Sequence, residues 1–222
     1  MRLTKIAAWI LLALGGSAAA NYTLSGLSGS VTITTRALQV TAATNSKTYD
    51  GTTSAAATPT VTSGAVQPGD TSNFTETYAT KNVGSSKTLT AGGTVADGNS
   101  GNNYSYTFIA DTTGVIDARS LTVSTTGINK VYDGTTNATV TLADNRVSGD
   151  VLTTGYTSAG FEDKNVGTNK PVNVSGISIS GTDSTNYTFN TTATTTANIT
   201  AKSLTVSATG VNRIYDGTTN AT

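Results

Sequence analysis

An all-β fold, built as tandem Ig-like β-sandwich repeats of about 83 residues, is predicted by three observations. The motif Lys/Arg-x-Tyr-Asp-Gly-Thr-Thr occurs three times, at Tyr49, Tyr132 and Tyr215, and the two intervals are equal (132 − 49 = 83; 215 − 132 = 83). Apolar and β-branched residues alternate with small polar ones, as in Leu38-x-Val40, Leu121-x-Val123 and Val172-x-Val174, the period-two mark of strands with one buried face. Helix signals are nearly absent: outside residues 1–20 no stretch places apolar residues at i, i+3, i+4 and i+7, and the abundant Thr and Gly are poor helix formers. Turn residues (Asp-Gly, Ser-Gly, Gly-Gly, Asn) cut each repeat into six or seven expected strands. A unit of this size suits a small sandwich.

Taken in order, residues 1–20 carry the parts of a secretory signal. Arg2 and Lys5 precede a nine-residue apolar run from Ile6 to Leu14, and Gly15 to Ala20 are all small. Crossing a bilayer core of about 30 Å takes roughly 20 apolar residues, so no transmembrane span is expected. Leu12, Leu14, Gly16 and Asn21-Tyr22 also align with Ile177, Ile179, Gly181 and Asn186-Tyr187. The alternative is therefore a start codon placed inside a longer reading frame. Residues 21–36 match the tail of a repeat, residues 37–119 form the first full repeat, 120–202 the second, and 203–222 the beginning of a third. The chain reads as cut from a longer array at both ends.

Within the repeats the register is kept at Leu38, Leu121 and Leu204 and at Lys47, Lys130 and Arg213. It is kept again where Lys81-Asn82-Val83-Gly84 returns as Lys164-Asn165-Val166-Gly167 and Asn103-Tyr104 as Asn186-Tyr187. A Gly-Asp pair drifts, since Gly69-Asp70 and Gly149-Asp150 are only 80 apart, which predicts surface loops of variable length on both sides of it. In the stub 203–222, Leu204, Val206, Val211 and Ile214 are exposed without the strands that should cover them, so disorder or self-association through an unpaired edge is expected.

Composition removes several function classes. Thirteen basic residues balance thirteen acidic ones with no cationic cluster, so nucleic acid is not an expected partner. The chain has no Cys and no His, which removes disulfides, thiolates and the usual general base. Glu162-Asp163 is the one adjacent acidic pair, and neighbouring side chains on a strand point to opposite faces. No catalytic, cofactor-binding or metal residue is assigned, no cofactor is expected, and the chain is not expected to be an enzyme.

Tyr49, Tyr132 and Tyr215 are the most conspicuous candidates for a ligand platform. Their expected role is structural, with the ring packed on the sheet, the hydroxyl bonded to backbone, and Asp-Gly forming a turn. Asp50, Asp133 and Asp216 should accept backbone N–H groups of that turn. A calcium loop would need a ladder of alternating oxygen ligands, and none is present. A Lys-to-Asn amide cross-link is not expected either, because Lys81-Asn82 and Lys164-Asn165 are sequence neighbours that face apart.

The Lys-x-Tyr-Asp-Gly-Thr-Thr opening, the Gly-Asp, the Val-Gly, the Asn-Tyr-Thr and the closing Ile-x-Ala-Arg/Lys-x-Leu-Thr-Val together resemble the YDG repeats of bacterial surface adhesins of the filamentous-haemagglutinin type. The resemblance implies an exported chain, secreted or at the cell surface, whose repeats serve as a structural stalk in cell adhesion. Neighbouring repeats of the same chain are then the expected partners. The alternative is a binding module whose loops near Gly69-Asp70 and Gly149-Asp150 touch host surface glycans or matrix proteins.

Overall fold

The computed structural model describes residues 34–219. The signal-like segment 1–20 and nearly all of the 21–36 tail lie outside the described residues. Residues from Arg36 onward form one compact unit that holds both full repeats.

The first repeat has seven strands: β1 (Arg36–Thr41), β2 (Ser46–Thr48), β3 (Thr60–Ser63), β4 (Thr71–Tyr78), β5 (Gly84–Ala96), β6 (Tyr104–Ile109) and β7 (Asp111–Asp117). They divide into a three-stranded sheet of order β3-β1-β6 and a four-stranded sheet of order β2-β7-β5-β4. Two of the pairings are parallel, β1 with β6 and β2 with β7. The sandwich class agrees with expectation, and the seven strands are within the six or seven expected. Period-two patterning has its expected physical result in β4, where Phe74, Glu76 and Tyr78 point inward and the residues between them are exposed. Phe74 reaches across to the other sheet, its ring 6.0 Å from Tyr106 and 6.3 Å from Phe108, both edge-on. Leu38, Val40, Leu89, Val95 and Ile116 complete this core.

The second repeat copies the first, with the equivalents of β1, β4 and β5 each interrupted into two strands. These are β8 (Arg119–Leu121), β9 (Val123–Ile128), β10 (Lys130–Val131), β11 (Thr139–Asp144), β12 (Thr153–Gly155), β13 (Ser158–Phe161), β14 (Gly167–Ser175), β15 (Ser178–Ser180), β16 (Tyr187–Phe189) and β17 (Thr192–Thr200). The 83-residue offset extends to the pairing register. Val40 faces Val61 as Val123 faces Asp144, Lys47 faces Ile116 as Lys130 faces Ile199, and Tyr78 faces Leu89 as Phe161 faces Val172.

The variable length lies in loops on both sides of Gly-Asp, as expected. Upstream the three-residue difference falls between β3 and β4 in the first repeat and between β11 and β12 in the second. Downstream it falls between Asp150 and Thr154, since Thr71 pairs with Ala96 directly after Asp70, whereas the equivalent pair of Thr154 and Ile179 comes four residues after Asp150 (154 − 150). From there the hairpin keeps the 83-residue offset and is interrupted between β12 and β13 without an inserted residue. The partner strand breaks opposite, at Gly176, whose φ of 66° is open to glycine.

In the stub, the described residues 201–219 carry no strand, and Leu204 is 86% and Ile214 92% exposed. Because these side chains contribute no burial, deleting residues 203–222 is expected to leave the thermal midpoint within roughly 2 °C of the full chain. A large loss in calorimetry would show that the stub completes the second repeat.

Candidate functional site

The shared motif builds a loop that is held almost wholly by itself. Lys47 Nζ donates to Asp50 Oδ1 at 2.8 Å, to the Thr52 carbonyl at 2.9 Å and to the Ser54 carbonyl at 2.9 Å. Asp50 Oδ1 also accepts the Thr52 N–H at 2.8 Å, closing the turn as the sequence predicts. Lys130, Asp133 and Thr135 repeat the arrangement with the same partners. In the stub, Arg213 bonds Asp216 at 2.6 Å and Asp216 accepts the Thr218 N–H at 3.0 Å, although no sheet supports them. This loop is encoded locally. The ammonium sits where a metal ion would have to sit, and it holds the Asp133 carboxyl down at about 2. Among the described residues no group of three or more His, Cys, Asp or Glu side chains could hold a metal ion.

What the loop presents is the tyrosine, and the first repeat's tyrosine enters the second repeat. Tyr49 is fully buried, and its hydroxyl donates to the Asp150 carboxylate, 3.0 Å from Oδ1 and 2.9 Å from Oδ2. Tyr187 donates to Asp150 Oδ2 at 2.6 Å, and its own oxygen accepts the Val147 N–H at 2.9 Å. The two rings meet edge to face at 5.5 Å. From the β4–β5 turn, Lys81 Nζ reaches Asp150 at 3.1 Å and Asp183 at 3.0 Å, and lies 5.8 Å from the centre of the Tyr49 ring. Beside it the Val83 N–H donates to Asn186 Oδ1 at 2.9 Å. Gly51 completes the fit: its φ is +80°, and a Cβ there would lie 2.8 Å from Val147 Cγ1 of the second repeat. Tyr-Asp-Gly and Lys-Asn-Val-Gly therefore form a plug, and Gly-Asp with Asn-Tyr forms the socket that receives it.

The charges at this joint are mutually supporting. Burial pushes the Asp150 carboxyl up, but hydrogen bonds from Tyr187, Lys81 and Tyr49 together hold it below the ordinary value. Asp183 is also lowered, by the Val151 N–H and by Lys81. Lys81 is raised, first by Asp183 and then by Tyr49 and Asp150, so it stays an ammonium and not a free amine. Burial, and then the Asp150 carboxylate, push Tyr187 up to about 12. A depressed carboxyl contributes stability that is present above its unfolded value of about 3.9 and is lost as pH falls through the folded value. A raised phenol contributes stability that is present below about 10 and is lost as pH rises from there toward the folded value. The thermal midpoint should thus be flat between about pH 5 and 9 and fall on either side, with Asp150→Asn reducing the acid slope; an acid limb unchanged in that variant would remove Asp150 from the account.

Several sequence expectations are relocated by this geometry. The Tyr49 hydroxyl is bonded to a carboxylate of the neighbouring repeat, not to backbone, because the ring crosses the boundary between domains. Tyr132 is half-buried and Tyr215 is 90% exposed, so three identical motifs occupy three environments. Asp150, expected on a loop open to host glycans, is buried beneath Tyr49 and Lys81. Asp183 was not singled out by sequence reasoning; Asn186 was read only as a fixed point of the repeat, returning from Asn103, with no contact assigned to it.

The YDG domain profile matches residues 34–114 and 117–197, two adjacent copies offset by the same interval (117 − 34 = 83). No curated protein and no solved structure matches the chain at a significant level. With the two matches covering most of its length, the chain belongs to the YDG domain family.

Proposed function

We propose that this chain is a run of structural spacer repeats from an exported bacterial adhesin, secreted or held at the cell surface, in which the YDG repeats set the distance of an adhesive region from the cell. The observation that carries the reading is the buried joint made by Tyr49, Lys81, Asp150, Asp183 and Tyr187. Repeats joined by flexible linkers transmit no orientation, whereas a joint that desolvates an aromatic ring and charged groups fixes one repeat on the next. The placement of its halves supports the same role. Gly-Asp precedes β4 and Lys-Asn-Val-Gly follows it, so socket and plug lie at opposite ends of a strand of eight residues, roughly 27 Å long. Each added repeat extends the array by about that distance plus its loops.

Small-angle scattering on the full chain, and on chains with one and two further repeats, tests the proposal. The maximum dimension should rise by a constant step of about 30 to 40 Å per repeat. A dimension that grows only as a flexible or collapsed chain would overturn it. If a glycan array probed with the same proteins gave reproducible binding, the binding-module alternative would replace the spacer reading.

A further inference from the structure

We infer that each repeat is built to bear tension along the chain, because a strand near its entry and the strand at its exit are clamped side by side in parallel. In the first repeat β7 is the last strand, and Ser46, Lys47 and Thr48 of β2 face its Val115, Ile116 and Asp117. The ladder is closed at one end by the Val115 N–H on the Asn45 carbonyl, at 3.0 Å, and at the other by the Tyr49 N–H on the Asp117 carbonyl, at 2.8 Å. A pull on the two ends of the repeat drags β2 toward its start and β7 toward its finish. The strands are drawn past each other, so their bonds share the load and must yield together. An antiparallel pair pulled from two adjacent ends opens one bond at a time. Single backbone bonds are weak, so this sharing decides the resistance. A second parallel ladder reinforces the entry, where all six residues of β1 pair in register with β6.

Side chains brace the clamp. Tyr78 is buried and shares its hydroxyl hydrogen between the Asn45 carbonyl, at 2.8 Å, and the Val115 carbonyl, at 3.1 Å, one from each side of the ladder. Tyr49, which ends the ladder, is also bonded to Asp150, so β2 cannot slip without drawing that ring out of the second repeat. The second repeat keeps the clamp in a shorter form. Lys130 and Val131 face Ile199 and Thr200, and the Tyr132 N–H bonds the Thr200 carbonyl at 2.8 Å. There the Asn198 N–H, equivalent to that of Val115, goes to the Asn129 side-chain oxygen at 2.7 Å, and Phe161 stands in place of Tyr78. The clamp therefore recurs at the 83-residue interval, and its second copy is the weaker one.

This goes beyond the spacer role, which concerns distance and is tested by scattering; load-bearing is a property of strand pairing inside one repeat and holds or fails separately. The chain has no Cys, so two introduced cysteines can serve as the only handles for single-molecule force spectroscopy on the full chain. Thr35→Cys with Ser120→Cys, both at exposed positions, pulls the first repeat at its entry and its exit. Thr44→Cys with Thr113→Cys pulls the same ladder from one end, since these exposed residues face each other there with their hydroxyls 2.8 Å apart. At equal loading rates the first pair should rupture at a force at least about twofold above the second, because forced unfolding follows the rate at which the loaded bonds give way. Tyr78→Phe, which installs the residue the second repeat already has, should lower the first force. Equal forces from the two pairs of handles, or a Tyr78→Phe chain as strong as its parent, would overturn the inference.

Discussion

Replacing Asp150 by alanine is expected to lower stability by about 3 to 5 kcal/mol, the usual cost of removing one member of a buried charged pair. Three donors converge on this carboxylate, from Tyr49, Tyr187 and Lys81. Without it two phenolic hydroxyls lose their shared acceptor, and Lys81 keeps only Asp183. For a chain of this size the change corresponds to a midpoint lower by on the order of 10 °C. Asp70→Ala provides the internal comparison, because Asp70 is half-exposed and accepts one side-chain bond, from Tyr104. Urea denaturation of the two variants measures the difference. Equal losses would mean that Asp150 acts only within its own Gly-Asp turn, and that the joint adds nothing to it.

Tyr49→Ala should cost a similar amount, about 3 to 5 kcal/mol, by leaving a cavity the size of an aromatic ring in the joint. The ring is fully buried, edge-on to Tyr187 and under Lys81. Tyr49→Phe separates the hydroxyl from the ring; it should cost about 1.5 to 3 kcal/mol, the range for a hydrogen bond to a charged acceptor. The more informative readout is cooperativity. Two repeats coupled through this joint should unfold together, and two uncoupled ones should unfold in separate steps. Tyr49→Ala is expected to split the calorimetric transition, while Tyr215→Ala leaves it untouched, since that ring is 90% exposed. A single sharp transition in Tyr49→Ala would show that coupling runs through the backbone connection at Ala118 instead.

Periodicity alone made much of this fold legible. Two-residue alternation identified the strands, and the 83-residue interval proved to be a structural register that carries pairing partners from one repeat to the next. Local chemistry was legible too: Asp50 and Asp133 accept the turn N–H groups that an Asp-Gly turn requires. The joint was not. Tyr49 and Asp150 are 101 residues apart, and nothing in a single repeat tells whether a conserved spacing serves the repeat's own core or its neighbour's. The same holds for Lys81, which as a lone cation beside an asparagine reads as a solvated turn until two carboxylates of another domain are placed around it. The break at Gly176 was hidden for a different reason, because the hairpin keeps its 83-residue offset on both sides of it and leaves the hydrophobic alternation intact.

The Arg213–Asp216–Thr218 clamp forms in a segment that has no sheet around it. Each repeat's tyrosine loop can therefore take shape as soon as its own few residues have emerged, before the domain behind it exists. In a chain that folds from its amino end, every finished repeat would hold out a preformed tyrosine, and seating it would be the first tertiary contact offered to the next repeat. Folding of the array then has a direction, with each unit acting as the mould for its successor, and the growing end is marked at every moment by one tyrosine still in water.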